Sequence, residues 1–397
     1  MKYDFDSVID RRNTGSIKYD FTAQHGKPEG ILPLWVADMD FRTPPCVIRA
    51  LVERSRHGIF GYSESGADYF EVVQKWFLHH FGWKTERDWL VKTPGVVHAI
   101  CTAIRALTQQ GDSVLIQQPV YYPFTQSILA NQRKLVVNQL VYSRGGYSMD
   151  FEDFESKIRQ NSVKLFILCS PHNPVGRVWT KEELIRMGDI CVKYGVTVVS
   201  DEIHADFVYT GYSHTVFASL KPEFAACAIT CTAPTKTFNL AGLNISNIFI
   251  QNMQIRKKIK VEMKRSGYSQ SNVMGITACR AAYKDGHDWL DALRAYLACN
   301  LKYTRELFSR RLPMIRLVEP EGTYLLWLDF SALGLSDRML DNLIVHKAGL
   351  WLDAGPIFGA GGEGFQRINI ACPIAVLKRA FCQLESAVTD HFPACVE

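Results

Sequence analysis

The chain has 397 residues, a net charge of +5 at pH 7, and a composition that is 47% hydrophobic and 21% charged. This composition excludes a disordered chain, and the length exceeds the roughly 250–300 residues that one core usually serves, so two closely joined domains are predicted. Lysine and arginine alternate with acidic residues along the chain, which argues against a nucleic-acid-binding surface.

The N-terminal sequence MKYDFDSVIDRRNTG lacks the apolar region of a secretion signal, and no apolar run is long enough to cross a bilayer. The 11 cysteines include no C-x-x-C pair, and several lie in apolar runs, as expected for small buried residues in a reducing compartment. We therefore expect a soluble, cytoplasmic protein that does not bind membranes.

Residues 1–45 mix aromatic residues with prolines and are predicted to form an arm that folds over another part of the chain. Helical periodicity then predicts helices in PPCVIRALVERSRHG, ADYFEVVQKWFLHHFG and GVVHAICTAIRALTQQG. Helix starts are indicated at Pro44–Pro45 and Pro94–Gly95, and helix ends at Gly58, Gly82 and Gly111.

From Ser113 onward, short apolar segments rich in β-branched residues alternate with helical segments such as TKEELIRMGDICVKYG. The predicted strands are SVLIQQP, KLVVNQLVY, VKLFILCSP, VTVVSDE, AACAITCT and ISNIFIQN. This alternation predicts an α/β fold with crossover connections and a mainly parallel sheet that helices cover on both faces.

After Asp285 the alternation stops, and a smaller α+β unit is predicted. Its segments are the long helix HDWLDALRAYLACNLKYTRELFSRRL, the strand GTYLLWLDF, a helix, LWLDAG, the strand FQRINIAC and a helix from Pro373. The long helix is expected to bridge the domains. We predict an arm with part of the small domain at 1–45, a large domain at 46–286 and a small domain at 287–397.

Polar residues follow the predicted strands at several places. Lys236 in TAPTKTFNLAGL, Asp201 after VTVVS and Asn173 in SPHNPVG each come where a strand ends. In an open parallel sheet, ligands bind beyond the carboxyl ends of the strands. The helix start TPGVVH offers free N–H groups and roughly half a positive charge, which suit a phosphate.

Pyridoxal 5'-phosphate needs such groups: an amine for a Schiff base, a carboxylate that keeps the pyridine nitrogen protonated, a donor for the ring oxygen and a phosphate site. At an effective dielectric of about 20, a carboxylate about 4 Å from the ring nitrogen contributes roughly 4 kcal/mol. Singly, Lys236 is explained as a surface lysine, Asp201 as a helix cap and Asn173 as a turn residue. Their occurrence together at successive strand ends favours the cofactor.

Three further patterns are interpreted without a ligand. GAGGEG at Gly359–Gly364 precedes a predicted strand, whereas a dinucleotide-binding loop follows one. The acids and histidine of DEIHAD at 201–206 resemble a metal-ligand set, but Asp201 has a better use with the cofactor. His79–His80 lie at a predicted helix end, where positive charge is favourable. We therefore predict no metal site.

The segments SPHNPVG, VVSDEIHADFVY and APTKTFNLAGL resemble the fold-type I pyridoxal-phosphate enzymes, the aspartate-aminotransferase superfamily, and the resemblance covers essentially the whole chain. LWVADMDF, GYSESG, PVYYPF, DEIHAD and PEGTYLLWLDF are similar to the MalY/PatB-type cysteine-S-conjugate β-lyases, which include cystathionine β-lyases. The resemblance implies pyridoxal 5'-phosphate as cofactor, a homodimer and a sulfur-containing amino acid as substrate.

Carried over motif by motif, the resemblance implies roles around the cofactor ring. Lys236 would be the Schiff-base lysine and the proton carrier, and Asp201 would pair with the ring nitrogen. Tyr121 in PVYYPF would stack on the ring face. Asn173 and His204 would lie near the ring oxygen.

The resemblance also implies residues for the phosphate and the substrate. The phosphate would be held by Val96, Val97, Thr232 and Thr235. Tyr62 would reach it across a dimer interface. Many relatives have an arginine eight residues after the lysine, where this chain has Asn244, so hydroxyl and helix N–H groups are left to bind the phosphate. Arg367 would clamp the substrate α-carboxylate, with Asn173 and the backbone of Ala37 beside it.

The implied reaction is β-elimination, in which Lys236 removes the Cα proton, a sulfur leaving group departs from Cβ, and pyruvate and ammonia form. The same cofactor supports transamination, so an aminotransferase is the alternative, and a mainly regulatory or binding role on this fold is a second. The branch motifs and Asn244 favour a carbon–sulfur lyase that cleaves cystathionine, cysteine or related S-conjugates.

Overall fold

A seven-stranded sheet forms the centre of the computed structural model, which describes residues 3–392. The strands are β1 (Leu32–Pro33), β2 (Leu90–Thr93), β3 (Ser113–Gln118), β4 (Lys134–Gln139), β5 (Val141–Ser143), β6 (Gly146–Ser148), β7 (Leu165–Cys169), β8 (Thr197–Asp201), β9 (Ala228–Thr232), β10 (Ser246–Phe249), β11 (Arg316–Leu317), β12 (Leu325–Asp329), β13 (Leu350–Trp351), β14 (Asp353–Ala354) and β15 (Phe365–Asn369).

The α-helices within the described residues lie between these strands and at the end of the chain. They are α1 (Pro45–His57), α2 (Ala67–Phe81), α3 (Val96–Leu107), α4 (Pro123–Ala130), α5 (Phe151–Asn161), α6 (Lys181–Lys193), α7 (Pro222–Cys227), α8 (Pro234–Thr237), α9 (Met253–Arg265), α10 (Val273–Asp285), α11 (His287–Arg311), α12 (Asp337–Asn342) and α13 (Ile374–His391). In residues 3–392, none of the helices combines the length and apolar character that a membrane span requires.

The central sheet has the strand order β2-β10-β9-β8-β7-β3-β4. The run from β9 to β4 is parallel, and β10 is antiparallel to both of its neighbours. The predicted mainly parallel sheet of an α/β fold is therefore confirmed. In the register of this sheet, Asp201 lies between Cys169 of β7 and Cys231 of β9.

Alternate residues of the central strands face the two helical layers, as the two-residue period of a strand requires. In β7, Leu165 and Ile167 belong to a core that includes residues of α3, α4 and α9. Phe166 and Leu168 belong to a second core that includes residues of α5 and α6. The strand is apolar throughout because both of its faces are covered.

A smaller antiparallel sheet has the order β11-β12-β15-β14. Near the N-terminus, β1 pairs in parallel with β13, so the chain before α1 contacts the region that includes this second sheet. The 25-residue helix α11 leads from α10 towards β11. The predicted domain boundaries at residues 45 and 286 remain a prediction.

Some predicted element boundaries are wrong. The segment AACAITCT is not one strand, because its first residues complete the short helix α7, which begins at Pro222 and buries Phe224. Helix α3 ends at Leu107, and Gly111 lies beyond it in a left-handed turn (φ 84°) before β3. Gly58 and Gly82 do end α1 and α2 in left-handed conformations, as predicted.

The GAGGEG segment is a loop, as predicted, and it lies against the chain that follows β3. The carbonyl of Phe358 accepts a hydrogen bond from the Val120 N–H at 3.0 Å. Gly359 has a φ of 95°, and a Cβ there would lie 2.2 Å from the Gln118 side chain. The left-handed φ favours glycine at this position.

Candidate active site

Lys236 lies at the carboxyl end of the central sheet, in the short helix α8 directly after β9. Its Nζ donates a hydrogen bond to the backbone carbonyl of Ala37 at 2.6 Å. Burial lowers the pKa of Lys236 to about 8, and the charge of Arg367 acts in the same direction, while the charges of Asp38 and Asp201 oppose the shift. A large fraction of this amine is therefore unprotonated slightly above neutral pH.

Asp201, the last residue of β8, is a buried acid. Its carboxylate accepts a hydrogen bond from the Ile203 N–H at 3.2 Å, and no ion pair among the described residues includes it. Burial raises the pKa of Asp201 to about 7, against the smaller opposing effects of that N–H group and of the Lys236 charge. A cation that entered this site would favour the ionised carboxylate.

The other polar residues of the DEIHAD segment have different partners. His204 is buried, no hydrogen bond to its Nδ1 is found in residues 3–392, and burial lowers its pKa, so the ring is neutral. Glu202 accepts hydrogen bonds from Ser200 Oγ at 2.8 Å and from the Phe217 N–H at 3.1 Å. Glu202 also pairs with His214 Nε2 at 2.9 Å, so protein donors surround its carboxylate.

The first turn of α3 and the end of β9 provide the predicted phosphate-binding groups. Val96 and Val97 are the first residues of α3, so their N–H groups have no acceptor within the helix. Thr232 is differently placed, because its hydroxyl donates to the carbonyl of Asn247 at 2.6 Å and that donor is already used. Thr235 lies in the same short helix as Lys236. The phosphate role of these residues stays a prediction.

Arg367 of β15 is buried and held from several sides. Its Nη1 donates to Asn173 Oδ1 at 2.9 Å, and its Nη2 donates to the carbonyl of Trp35 at 2.8 Å and also pairs with the Asp353 carboxylate. The Nε–H has no partner among the described residues. A buried guanidinium that keeps an unused Nε–H donor is suited to bind a carboxylate.

Tyr121 is linked to Arg367 through Asn173, whose side chain accepts a hydrogen bond from Arg367. Its backbone N–H donates to the carbonyl of Asn173 at 3.0 Å, which joins the two predicted ring-binding segments. The pKa of Tyr121 is raised, mainly by burial, so the phenol stays protonated.

Tyr62 differs from the other predicted site residues in its exposure, and its place in a site stays a prediction. It lies between α1 and α2, and its side chain is 98% exposed. Asn244, at the position where many relatives have an arginine, is exposed and left-handed (φ 47°) at the end of a short helical turn.

The segment 35–41, here called the strap, lies over Lys236 and Arg367 through its backbone carbonyls. The Ala37 carbonyl accepts from Lys236 and also from the Tyr324 hydroxyl at 3.0 Å. The Trp35 carbonyl accepts from Arg367. The strap thus fixes the two basic groups of the site relative to each other.

Ion pairs with the N-terminal arm hold the strap in place. Arg11 contacts Asp38 at 2.6 Å and Asp40 at 2.7 Å. Lys18, which is fully buried, contacts Asp40 at 2.8 Å and Asp38 at 3.6 Å. Asp38 therefore connects this network to Lys236, because it is also the acid whose charge most raises the pKa of that lysine.

We expect Asp38→Asn to lower the pKa of Lys236 below about 8. The change removes a negative charge and leaves the cations Arg11 and Lys18, so a downward shift of about one unit is expected. Competitive acetylation of the cofactor-free protein across pH, read at Lys236 by peptide mass spectrometry, measures this pKa. Asp10→Asn, in an exposed pair with Arg12, is the matched control, and an unchanged or higher midpoint in Asp38→Asn contradicts the assignment.

The sequence analysis did not predict several contacts of the site. Asp38 and Tyr324 lie in motifs that carried the resemblance, LWVADMDF and PEGTYLLWLDF, but nothing in their spacing indicates contact with the Lys236 region. Asp353 could have been suspected as an acid inside an apolar segment, LWLDAG. Its pairing with Arg367 depends on the antiparallel register of β14 and β15.

The geometry agrees with comparisons to known proteins. The family described as aminotransferase class I and II matches residues 29–383. The chain is 43% identical over 385 residues to "Cystathionine beta-lyase PatB" of Bacillus subtilis (97% of this chain, 100% of that protein) and 34% identical over 389 residues to "Protein MalY" of Escherichia coli (97% and 99%). The crystal structure of cystalysin from Treponema denticola, which contains pyridoxal 5'-phosphate, superposes with a TM-score of 0.95 at 38% identity and covers 98% of this chain and 100% of that one.

Proposed function

Because the chain belongs to the aminotransferase class I and II family, we propose that it is a pyridoxal 5'-phosphate-dependent carbon–sulfur β-lyase. Its substrates are cystathionine, cysteine or related S-conjugates, and its products are a thiol or sulfide, pyruvate and ammonia. The observation that carries the proposal is the amine of Lys236 and the buried carboxylate of Asp201 at one end of the sheet, in a chain 43% identical to a cystathionine β-lyase.

The residues of this end of the sheet fit the cofactor. Asp201 is a buried acid without a cationic partner in the described chain, and it would pair with the protonated ring nitrogen. His204 has an unpartnered buried nitrogen that supports a place beside the ring oxygen, together with Asn173. The N–H groups of Val96 and Val97 would hold the phosphate. When bound, the cofactor supplies the electron-withdrawing ring that makes the substrate Cα–H acidic.

Lys236 and Arg367 would act on the substrate itself. Arg367 would bind the α-carboxylate through its unused Nε–H, while Asp353 and Asn173 keep the guanidinium in position. Lys236 Nζ would remove the Cα proton, and its lowered pKa makes it a base near neutral pH. The Ala37 carbonyl, which accepts from Lys236, would keep the amine directed towards the site.

Product analysis tests the reaction. The purified protein, given cystathionine and no 2-oxo acid, is expected to release pyruvate and a thiol in equal amounts. A strict need for a 2-oxo acid acceptor would make it an aminotransferase instead. Bound cofactor with neither product would favour the regulatory or binding role.

We also propose that the protein is a cytoplasmic homodimer in which Tyr62 of each chain completes the site of the other. The support is that the Tyr62 side chain is 98% exposed beside the exposed apolar residues Ile59 and Phe60, so a second copy could cover all of them. The cytoplasmic location is supported by the cysteines, since all ten in the described part of the chain are free.

Mixing two defective variants tests the shared site. Tyr62→Ala and Lys236→Ala homodimers are each expected to be impaired, the first through weaker phosphate binding. In a mixed dimer, the site that keeps Lys236 receives Tyr62 from the other chain and is intact. Random exchange of subunits should therefore restore up to about a quarter of the wild-type activity. If Tyr62 served its own chain, no mixed dimer would contain an intact site, and the activity would not recover.

A further inference from the structure

Three imidazoles meet where the end of α2 approaches the start of α11. His79 and His80 lie in the last turn of α2, and His287 is the first residue of α11. One ring nitrogen of each histidine lies within 4.8 Å of the other two. Within residues 3–392, these histidines are the sole group of His, Cys, Asp or Glu with this geometry.

The distances suit a metal ion. His80 Nε2 and His287 Nδ1 share one N–H···N hydrogen bond at 3.1 Å, which a bound ion would replace, and their rings are nearly parallel. Two imidazole nitrogens on a tetrahedral Zn²⁺ at about 2.0–2.1 Å are about 3.3–3.4 Å apart, so this pair is already close to the required separation. His79 is exposed, so its side chain can rotate to bring the third nitrogen closer.

An acid on α11 lies next to the three histidines, although its carboxylate is outside the group of ligand atoms within 4.8 Å of one another. Asp291 comes one helical turn after His287, so the two side chains lie on the same face of the helix. Asp291 and the three histidines line one cavity, together with Lys75 and Arg294. Three imidazoles and one carboxylate form a ligand set that Zn²⁺ and similar divalent transition metals bind.

The charges around the three histidines act in opposite directions on a bound cation. The carbonyl end of α2 favours a cation at this place. Lys75 is exposed and can turn towards solvent. Arg294 is bound elsewhere, since its Nε donates to the carbonyl of Asp206 at 2.6 Å, and its contact with Asp291 is a longer one of 3.7 Å on the surface. A surface pair of this kind contributes little and yields to a bound divalent cation.

We propose that His79, His80 and His287, with Asp291 as the fourth ligand, form a binding site for a divalent transition metal ion of the Zn²⁺ type. The ion joins the end of α2 to the start of α11 and so stabilises the contact between these helices. This proposal differs from the sequence-based prediction of no metal site, in which His79–His80 only complemented the helix dipole. The proposal is independent of the proposed lyase activity, because it uses none of the residues assigned to that activity.

Equilibrium dialysis of the untagged holoenzyme against Zn²⁺ tests the site. One Zn²⁺ per chain is expected, with a dissociation constant on the order of micromolar. His287→Ala and His79→Ala should each weaken binding at least about tenfold. His391→Ala, in an exposed histidine at the end of α13, is the matched control and should bind as the wild type does. His80 stays unchanged because its ring centroid lies 4.0 Å from that of the buried Trp76; the His287 ring lies 4.5 Å from it, so the exposed His79 gives the variant that leaves this packing intact.

Two measurements distinguish metal binding at these histidines from metal binding at cysteines or at the active site. Cu²⁺ bound in place of Zn²⁺ should show nitrogen hyperfine coupling in its electron paramagnetic resonance spectrum, and His287→Ala should remove part of that coupling. Zn²⁺ should raise the thermal midpoint of the wild type but not that of the His79→Ala/His287→Ala double variant. Absence of stoichiometric binding at about 100 µM Zn²⁺, or equal binding by the double variant, overturns the proposal.

Discussion

Lys236→Ala is expected to reduce pyruvate release from cystathionine by at least about 10³-fold, because the substitution removes both the amine that attaches the cofactor and the base that takes the Cα proton. The pocket should otherwise survive, since the Ala37 carbonyl keeps its hydrogen bond from Tyr324 at 3.0 Å. Steady-state kinetics measure the loss of pyruvate release. Mass spectrometry after borohydride reduction measures the loss of cofactor attachment, because wild-type protein should keep the cofactor covalently on Lys236 and the variant should not.

Lys221→Ala is the matched control for this experiment. Lys221 is another lysine next to a short helix of the same region, but its Nζ pairs with Asp189 at 2.6 Å on the surface. Wild-type kinetics and covalent attachment are expected in that variant. Activity of Lys236→Ala within about tenfold of the wild type would remove the assignment of this lysine as the base.

Asp201→Asn should weaken cofactor binding or slow Cα deprotonation by roughly 10³-fold, because about 4 kcal/mol of charge pairing with the ring nitrogen is lost at an effective dielectric of 20. Asparagine keeps the shape of the side chain and can still accept the hydrogen bond from Ile203. Equilibrium dialysis of the cofactor and the rate of exchange of the substrate Cα proton measure the two effects. Unchanged values for both would contradict the role of Asp201.

The stability of the cofactor-free protein distinguishes this electrostatic role from a structural one. The pKa of Asp201 is raised to about 7 by burial, so ionisation opposes folding, and stability falls as pH rises from the ordinary value of 3.8 through 7. Asp201→Asn removes this penalty and should raise the free energy of unfolding at pH 8 by up to about 4 kcal/mol. Loss of stability would mean that the carboxylate has a structural role. Asp189→Asn, at an exposed acid, is the control.

Much of the large sheet could be predicted because its signal is local. The residues LFILC of β7 are apolar and buried at every position, and those of β8 are buried from Val198 to Asp201; this pattern arises when both faces of a parallel strand are covered. The prediction failed at Pro222–Cys227, because AAC reads equally as a strand or as the end of a short buried helix. Periodicity cannot decide between the two over so few residues.

The positions of Lys236 and Asp201 at adjacent strand ends followed from the order of strands and helices along the chain. The contacts that shift the pKa values of these two groups did not follow from that order. Asp38 acts on Lys236 from almost 200 positions earlier in the chain, and Lys236 Nζ and the Ala37 carbonyl meet across a sequence separation of 199. Such pairs form only when the arm has folded over the sheet.

The sequence by itself determined the fold class, the cofactor-type chemistry and the residues at the ends of the parallel strands, because hydrophobic period and chain order fix which side chains come together at that edge. Only the tertiary structure decided that the strap joins Lys236 to Arg367, that Asp353 holds Arg367, and that histidines of α2 and α11 converge. The physical reason is that pKa shifts, ion pairs and metal-ligand distances depend on separations in space, which residues far apart in the chain acquire only through packing.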